Sequence, residues 1–392
     1  MTVWNHNKMM SMPRVTVIGT GTMGTAMARR LLGAGMEVDV WSRHAASTMA
    51  LVAAGATAYD EATEAVRQSD VVITMLPNAD VTAEVMVSGQ VLGAMAPQSI
   101  WVQMATIGAE GTERLVLETR THRPSVTFVD APVSGSREPA EKGQLLILAS
   151  GPPRTAALLE PVFAALGRAT LWLGAAGAGS RMKLVLNTWL AFQVEGAAEV
   201  AALATDMGVD APRLMDALRG NPLASPYALA KLSKMLDQDD HADFSLDLAL
   251  KDLDLATTEA DRGVAPLAAA IAQRWRGLVH NGFSGLDVIA ARNGLGPEVS
   301  VDPSTPWPAW ISEVSSEPPQ TIRAASWCVT RRAKPIHPGL PPNPTGSLSA
   351  PALDETRATR FFHLHRHFAD KVNCLSKAPD SVGTRGDARG RF

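Results

Sequence analysis

Lys183 stands near the start of a long apolar run in GAGSRMKLVLN (177–187), and Asn187 follows one helical turn later. Residues four apart share a helix face, so these two point the same way. An ammonium on an apolar face is costly unless it is paired or used. Burial lowers a lysine pKa from its free value of about 10.4 towards neutrality, where the group exchanges its proton efficiently. A positioned cation that also donates a proton suits a reaction that builds negative charge on an oxygen.

A second group of residues has phosphate chemistry. VIGTGTMGTAMARRL (17–31) sets Gly19, Gly21 and Gly24 directly after an apolar strand pattern and at the opening of a helical one. Gly19 permits the tight turn, Gly21 lets backbone approach a pyrophosphate, and Gly24 lets helix and strand pack closely. The helix start adds N–H donors and partial positive charge. The whole turn, Gly19, Thr20, Gly21, Thr22, Met23 and Gly24, is therefore expected to cradle a dinucleotide. The next strand pattern ends VDVWSRH, with Ser42 and Arg43 where a ribose-binding carboxylate would stand. Arg43 suits a 2′-phosphate, so NADP is the expected cofactor, with NAD possible.

These residues need a scaffold. Seven strand patterns occupy 14–19, 37–41, 70–76, 99–104, 126–132, 145–150 and 169–174. Continuous apolar strands separated by helical patterns imply a parallel sheet covered on both faces. Residues 13–174 thus read as a doubly wound α/β domain of Rossmann type. Residues 175–296 read as an all-helical domain. Its first helix is Ala- and Leu-rich and is stopped by Gly208. That helix is apolar on more than one face, which suits a domain core or a subunit interface, and a homodimer or homotetramer is expected.

The two ends differ. Residues 1–12 read as a flexible leader. Residues 297–392 hold 13 of the 26 prolines and no helical or strand period, so they are expected to be a disordered Pro/Arg/Ser-rich tail. His363, His365 and His367 lie there without a neighbouring Cys or carboxylate cluster, so no metal site is expected. The formal charge of −3 gives no case for nucleic acid or an anionic membrane. No run approaches the roughly 18 to 20 apolar residues of a membrane span. Only Cys328 and Cys374 are present, so no disulfide framework holds the first three hundred residues, and a cytoplasmic location is expected.

Four motifs now stand in one order: GTGTMG (19–24), DAPVSGS (130–136), GAGSRMKLVLN (177–187) and KDLDLA (251–256). Their order and spacing resemble the β-hydroxyacid dehydrogenase family, which includes 3-hydroxyisobutyrate dehydrogenases and related semialdehyde reductases. The resemblance covers about 13–295 and assigns substrate binding and dimerisation to the helical residues 175–296. It implies interconversion of a small 3-hydroxy acid and its semialdehyde by hydride transfer, with Lys183 as the catalytic lysine and Asn187 orienting substrate. It also implies that Ser134, Gly135 and Ser136 hold the substrate carboxylate, although the family usually has Gly where Ser136 stands. Leu76, Pro77 and Val81 would line the cofactor, Thr106 would sit at its nicotinamide end, and Lys251 would approach it from the helical domain. Asp130 reads as a cap or loop anchor rather than a base. The alternatives are an imine reductase on the same fold, whose members usually replace the lysine, and a non-catalytic cofactor-binding interaction protein.

Overall fold

The computed structural model describes residues 12–261 and 263–295. The expectations for the leader (Met12 apart) and for the tail, with its histidines and cysteines, lie outside the described residues.

The first part of the chain alternates strands and helices. In order they are β1 (Val15–Ile18), α1 (Thr22–Gly33), β2 (Val38–Trp41), α2 (Met49–Val52), β3 (Thr57–Ala58), α3 (Ala62–Ala65), β4 (Val71–Thr74), α4 (Ala79–Ala83), α5 (Val91–Ala94) and β5 (Ile100–Gln103). Then come α6 (Gly108–His122), β6 (Thr127–Asp130), β7 (Val133–Ser134), α7 (Arg137–Glu141), β8 (Leu145–Ala149), α8 (Ala156–Leu166) and β9 (Gly167–Trp172). Strands β1 to β6 form one parallel sheet in the order β3-β2-β1-β4-β5-β6, the Rossmann arrangement. Side chains alternate between its faces. Val15, Val17, Val71 and Ile73 join Met27, Leu31 and Phe163 in one core, while Ile18, Val72 and Trp101 join Met86, Leu92 and Leu115 in the other. Both faces are covered, which is why all of these strands except the short, exposed β3 read as largely apolar runs.

Five of the seven expected strands enter this sheet. The runs at 145–150 and 169–174 instead form a second sheet, ordered β7-β8-β9, with β7 antiparallel to β8 and β8 parallel to β9. The chain turns at Ala131-Pro132, where proline has no N–H to extend a ladder. Leu148 N donates instead to Pro132 O at 2.9 Å, so β8 pairs with the returning segment and meets β6 only through a bridge between Asp130 and Ser150. β3 and β7 were not expected, because two residues are too few to show a period.

The second part is helical: α9 (Ala178–Asp206), α10 (Ala211–Leu218), α11 (Pro226–Leu236), α12 (Leu246–Glu259) and α13 (Pro266–Leu278). Helix α9, 29 residues, is about 43 Å long at 1.5 Å per residue. It packs on α6 and β8 at its start and on α11, α12 and α13 further along. Gly208, at φ +72°, ends it, with Val209 N donating to Ala204 O at 2.8 Å. Ala191, Val194, Leu232, Leu253, Ile271 and Trp275 form the core of the helical part. Trp275 Nε1 donates to the buried Glu195 at 2.7 Å, which also pairs with Arg274, so the indole N–H and that carboxylate are satisfied within the core. Among the described residues no helix is long and apolar enough to cross a membrane, and no group of His, Cys, Asp or Glu is arranged to hold a metal.

Candidate active site

The strands of the main sheet run in level register. Val15 faces Val38 and Val71, Val71 faces Ile100, and Ile100 faces Thr127. Their carboxyl ends therefore form one edge, at Ile18, Trp41, Thr74, Gln103 and Asp130. The loops leaving that edge carry Gly19 to Gly24, Ser42 and Arg43, Leu76 and Pro77 (with Val81 in α4), Thr106, and Ser134 to Ser136. Strand order reverses between β1 and β4, where such sheets open a ligand crevice.

At the first loop Gly19 has φ +98° and its N–H donates to Trp41 O at 2.9 Å. A Cβ on Gly24 would lie 1.9 Å from Gly19 O, so strand and helix approach too closely for any side chain there. A Cβ on Gly21 would meet nothing within 4 Å. Helix α1 has no side-chain cap and no acid in its first turn, so its leading N–H groups and dipole are open to an anion. Thr22 is exposed, Met23 is half-buried, and buried Thr20 bonds Ser47 through its hydroxyl at 2.6 Å. After β2, Ser42 is half-buried and Arg43 is exposed, and residues 42–47 include no carboxylate. These residues fit a dinucleotide: Gly19 to Gly24 would take its pyrophosphate and Ser42 with Arg43 its adenosine end.

Lys183 is 8% exposed, on the face of α9 it shares with buried Asn187. Asn187 Nδ2 donates to Asp252 Oδ2 of α12 at 2.5 Å. Asp252 is 3% exposed, and Lys251 Nζ lies 3.0 Å from its Oδ1 as an ion pair. That pair lacks hydrogen-bond alignment, and Oδ1 accepts no hydrogen bond. Lys183 makes no hydrogen bond or ion pair among the described residues. Burial lowers its pKa to about 8, Asp252 opposes that shift, and the Lys251 ammonium adds to it.

Lys251 ties this cluster to the sheet edge. Its Nζ donates to Thr106 O at 2.6 Å and to Pro77 O at 3.1 Å, so it joins the loops after β5 and β4. Helix spacing offers Asp247 and Asp254 as partners for Lys251, but neighbouring Asp252 takes the ion pair. The Thr106 loop is braced from inside the sheet. Trp101 Nε1 donates to Thr74 Oγ1, Thr74 Oγ1 to Gln103 Oε1, and Gln103 Nε2 to Ala105 O, at 3.0, 3.0 and 2.7 Å. Sequence reading missed this network and the Asn187–Asp252 contact; polar residues inside an apolar strand were the available signal for the first.

Ser134 lies in β7, which packs on α9. Gly135 is exposed and Ser136 is half-buried, with extended backbone and no capping hydrogen bond to α7. Buried Lys183, Asn187 and Asp252, with half-buried Lys251, thus form one polar cluster joined to the loops after β4 and β5. Such a cluster can hold a proton beside an oxygen at that edge.

Residues 14–174 match the family model for the NAD binding domain of 6-phosphogluconate dehydrogenase. Residues 177–293 match the model for NAD-binding of NADP-dependent 3-hydroxyisobutyrate dehydrogenase. The chain is 32% identical over 257 residues to 2-(hydroxymethyl)glutarate dehydrogenase of Eubacterium barkeri, covering 65% of this chain and 84% of that one. It is 31% identical over 279 residues to glyoxylate/succinic semialdehyde reductase 1 of Arabidopsis thaliana, covering 70% and 96%. The structure of Mycobacterium tuberculosis 3-hydroxyisobutyrate dehydrogenase with L-serine superposes with TM-score 0.65 at 28% identity, covering 72% of this chain and 98% of that one.

Proposed function

We propose, from the premise that the chain belongs to the β-hydroxyacid dehydrogenase family of NAD(P)-dependent oxidoreductases (3-hydroxyisobutyrate dehydrogenase-like), that it interconverts a small 3-hydroxy acid and its semialdehyde with Lys183 as general acid and base. The observation that carries this reading is Lys183 itself: buried, without a hydrogen-bond partner among the described residues, and lowered to about 8. A bound nicotinamide dinucleotide supplies the hydride in reduction and accepts it in oxidation. As negative charge builds on the carbonyl oxygen, the Lys183 ammonium stabilises it and gives up the proton that completes the alcohol. In oxidation the neutral amine takes that proton back.

Residue type and position support the other roles. Asn187, fixed by Asp252, orients substrate on the same helix face. Ser134, Gly135 and Ser136 offer hydroxyl and backbone donors for a substrate carboxylate. The names of the two relatives, one a dehydrogenase of a branched hydroxy acid and one a semialdehyde reductase, support the substrate class. Arg43 and the missing acid after β2 support NADP over NAD. Residues 13–174 then form the dinucleotide-binding domain and 175–296 the substrate domain. Met182, Val185, Trp189, Val200 and Leu203 along α9, with Met207 just past its end, leave an exposed apolar stripe, which supports a homodimer or homotetramer.

The test is a panel of 3-hydroxy acids and semialdehydes, each with NAD(H) and NADP(H), followed by nicotinamide absorbance, with Lys183→Ala in parallel. Turnover lost in that variant, with dinucleotide binding kept, supports the reading. Turnover retained, or turnover of cyclic imines in place of semialdehydes, defeats it.

A further inference from the structure

We propose that Asp130, together with Ser150, is a positioning residue that fixes Lys183 by capping helix α9 from the ends of two sheets; this rests on the role given above to Lys183. The first turn of a helix leaves N–H groups with no partner inside the helix. At α9 the N-cap is Gly177, with φ +97° and no side chain to supply one. The partners come from elsewhere. Gly177 N and Ser180 N donate to Asp130 Oδ2 at 3.1 and 2.9 Å, and Ser180 Oγ donates to Asp130 Oδ1 at 2.8 Å. Gly179 N donates to Ser150 Oγ at 2.9 Å, and Ser150 Oγ donates onward to Asp130 Oδ2 at 2.9 Å.

The cradle is stiff. Asp130 ends β6 of the main sheet, Ser150 follows β8 of the small one, and their backbones exchange hydrogen bonds of 2.9 and 2.6 Å. The helix start has no slack against it, since a Cβ on Gly179 would lie 2.1 Å from Leu148 O. Lys183 follows Ser180 by three residues, on the same face and one turn further along. A shift at the cap is therefore a shift of the ammonium. Misplacing a reacting group by about 1 Å can cost on the order of a hundredfold in rate. Asp130 itself is fully buried and both its oxygens are taken by helix donors, so it touches no substrate and is no base. Burial raises its pKa, while the donors from Ser180, Ser150 and Gly177 favour the ionised form, which complements the positive end of the helix dipole.

The test compares Asp130→Asn and Ser150→Ala with wild type by steady-state kinetics across pH and by amide hydrogen exchange. For Asp130→Asn the expected result is a kcat at least about tenfold lower, KM for the dinucleotide unchanged within about twofold, a displaced alkaline limb of kcat, and faster exchange confined to 178–186. Ser150→Ala, which removes one partner only, should show the same pattern more weakly, and it carries the test if Asp130→Asn fails to fold. Unchanged exchange at 178–186 in both variants overturns the cap. Faster exchange with wild-type kcat overturns the positioning role, and so does a joint loss of kcat and dinucleotide affinity with an unmoved pH limb. A wild-type protein inactive on the semialdehyde panel would defeat the function proposed above, while the exchange result would still decide the cap.

Discussion

Asn187 and Asp252 meet between α9 and α12 through a 2.5 Å hydrogen bond, and that contact brings a carboxylate within electrostatic reach of Lys183. The two helices are 65 residues apart in sequence at this point. Asp252 also faces Lys251, so one buried anion stands among two cations and an amide. This arrangement lets burial lower Lys183 without driving the proton off altogether.

Removing that anion should move the pH profile in a defined direction. Asp252 raises the Lys183 pKa, whereas burial and Lys251 lower it to about 8. In Asp252→Asn the value should fall further. Reduction needs the ammonium, so its rate is lost as pH rises through the lysine pKa. The alkaline limb of kcat for reduction should therefore move to lower pH, by about one pH unit, or up to tenfold in rate on that limb. A limb that stays in place or moves upward in initial-rate profiles refutes the coupling.

Lys183 should also cost stability. Its ordinary value is 10.5 and the folded value is about 8. Below pH 8 the folded chain must hold a proton that burial disfavours, at a cost of roughly 3 kcal/mol as a ceiling. Between about 8 and 10.5 the unfolded chain keeps its proton while the folded one releases it, so this group makes stability rise with pH in that window. Lys183→Met should abolish turnover, raise the melting temperature at pH 7, and flatten the rise in stability above pH 8. A variant that melts lower than wild type at pH 7 contradicts this.

What the sequence revealed follows from where the physics is local. Gly19 and Gly24 were legible because a positive φ and a missing Cβ are requirements on residue type itself. Lys183 and Asn187 were legible because helix geometry makes residues four apart share a face. Five of the six strands of the main sheet were legible because both their faces are buried, whereas β3 is short and exposed. Pairings between distant segments carry no such period. Lys251 was expected to approach the cofactor from the helical domain, but no local spacing announces its ion pair with Asp252 or its hydrogen bonds to Thr106 and Pro77, 145 and 174 residues away. The small sheet was misread because Pro132 redirects the chain over two residues, a scale at which no pattern accumulates.

Cofactor choice should respond to Arg43. Its guanidinium is exposed after β2, and no carboxylate stands among residues 42–47 to repel a 2′-phosphate. Arg43→Ala should raise KM for NADPH by about tenfold, the scale of one lost charge-assisted contact, and leave KM for NADH nearly unchanged. Equal effects on the two dinucleotides would remove Arg43 from the recognition of the phosphate.

A last prediction concerns how α12 is held against the sheet. Glu259, at its end, accepts from Ala109 N at 3.0 Å and Glu110 N at 3.3 Å, so it caps α6 from the helical part of the chain. Gly108 makes room for it, since a Cβ there would lie 2.2 Å from Glu259 Oε1. Lys251 binds the Thr106 and Pro77 carbonyls eight residues earlier, about 12 Å along the same helix. Two polar contacts thus hold α12 at both ends of that span, and Asp252 lies between them. Glu259→Ala removes a cap acceptor worth about 1 kcal/mol, which in a fold of this size should lower the melting temperature by roughly 2–4 °C. Glu259→Gln keeps an acceptor and loses only the charge, so it should melt between the two. Because Lys251 and Asp252 ride on the same helix, Glu259→Ala should also lower kcat severalfold. A melting loss with wild-type kcat would mean that the Lys251 contacts alone keep α12 in register with the site.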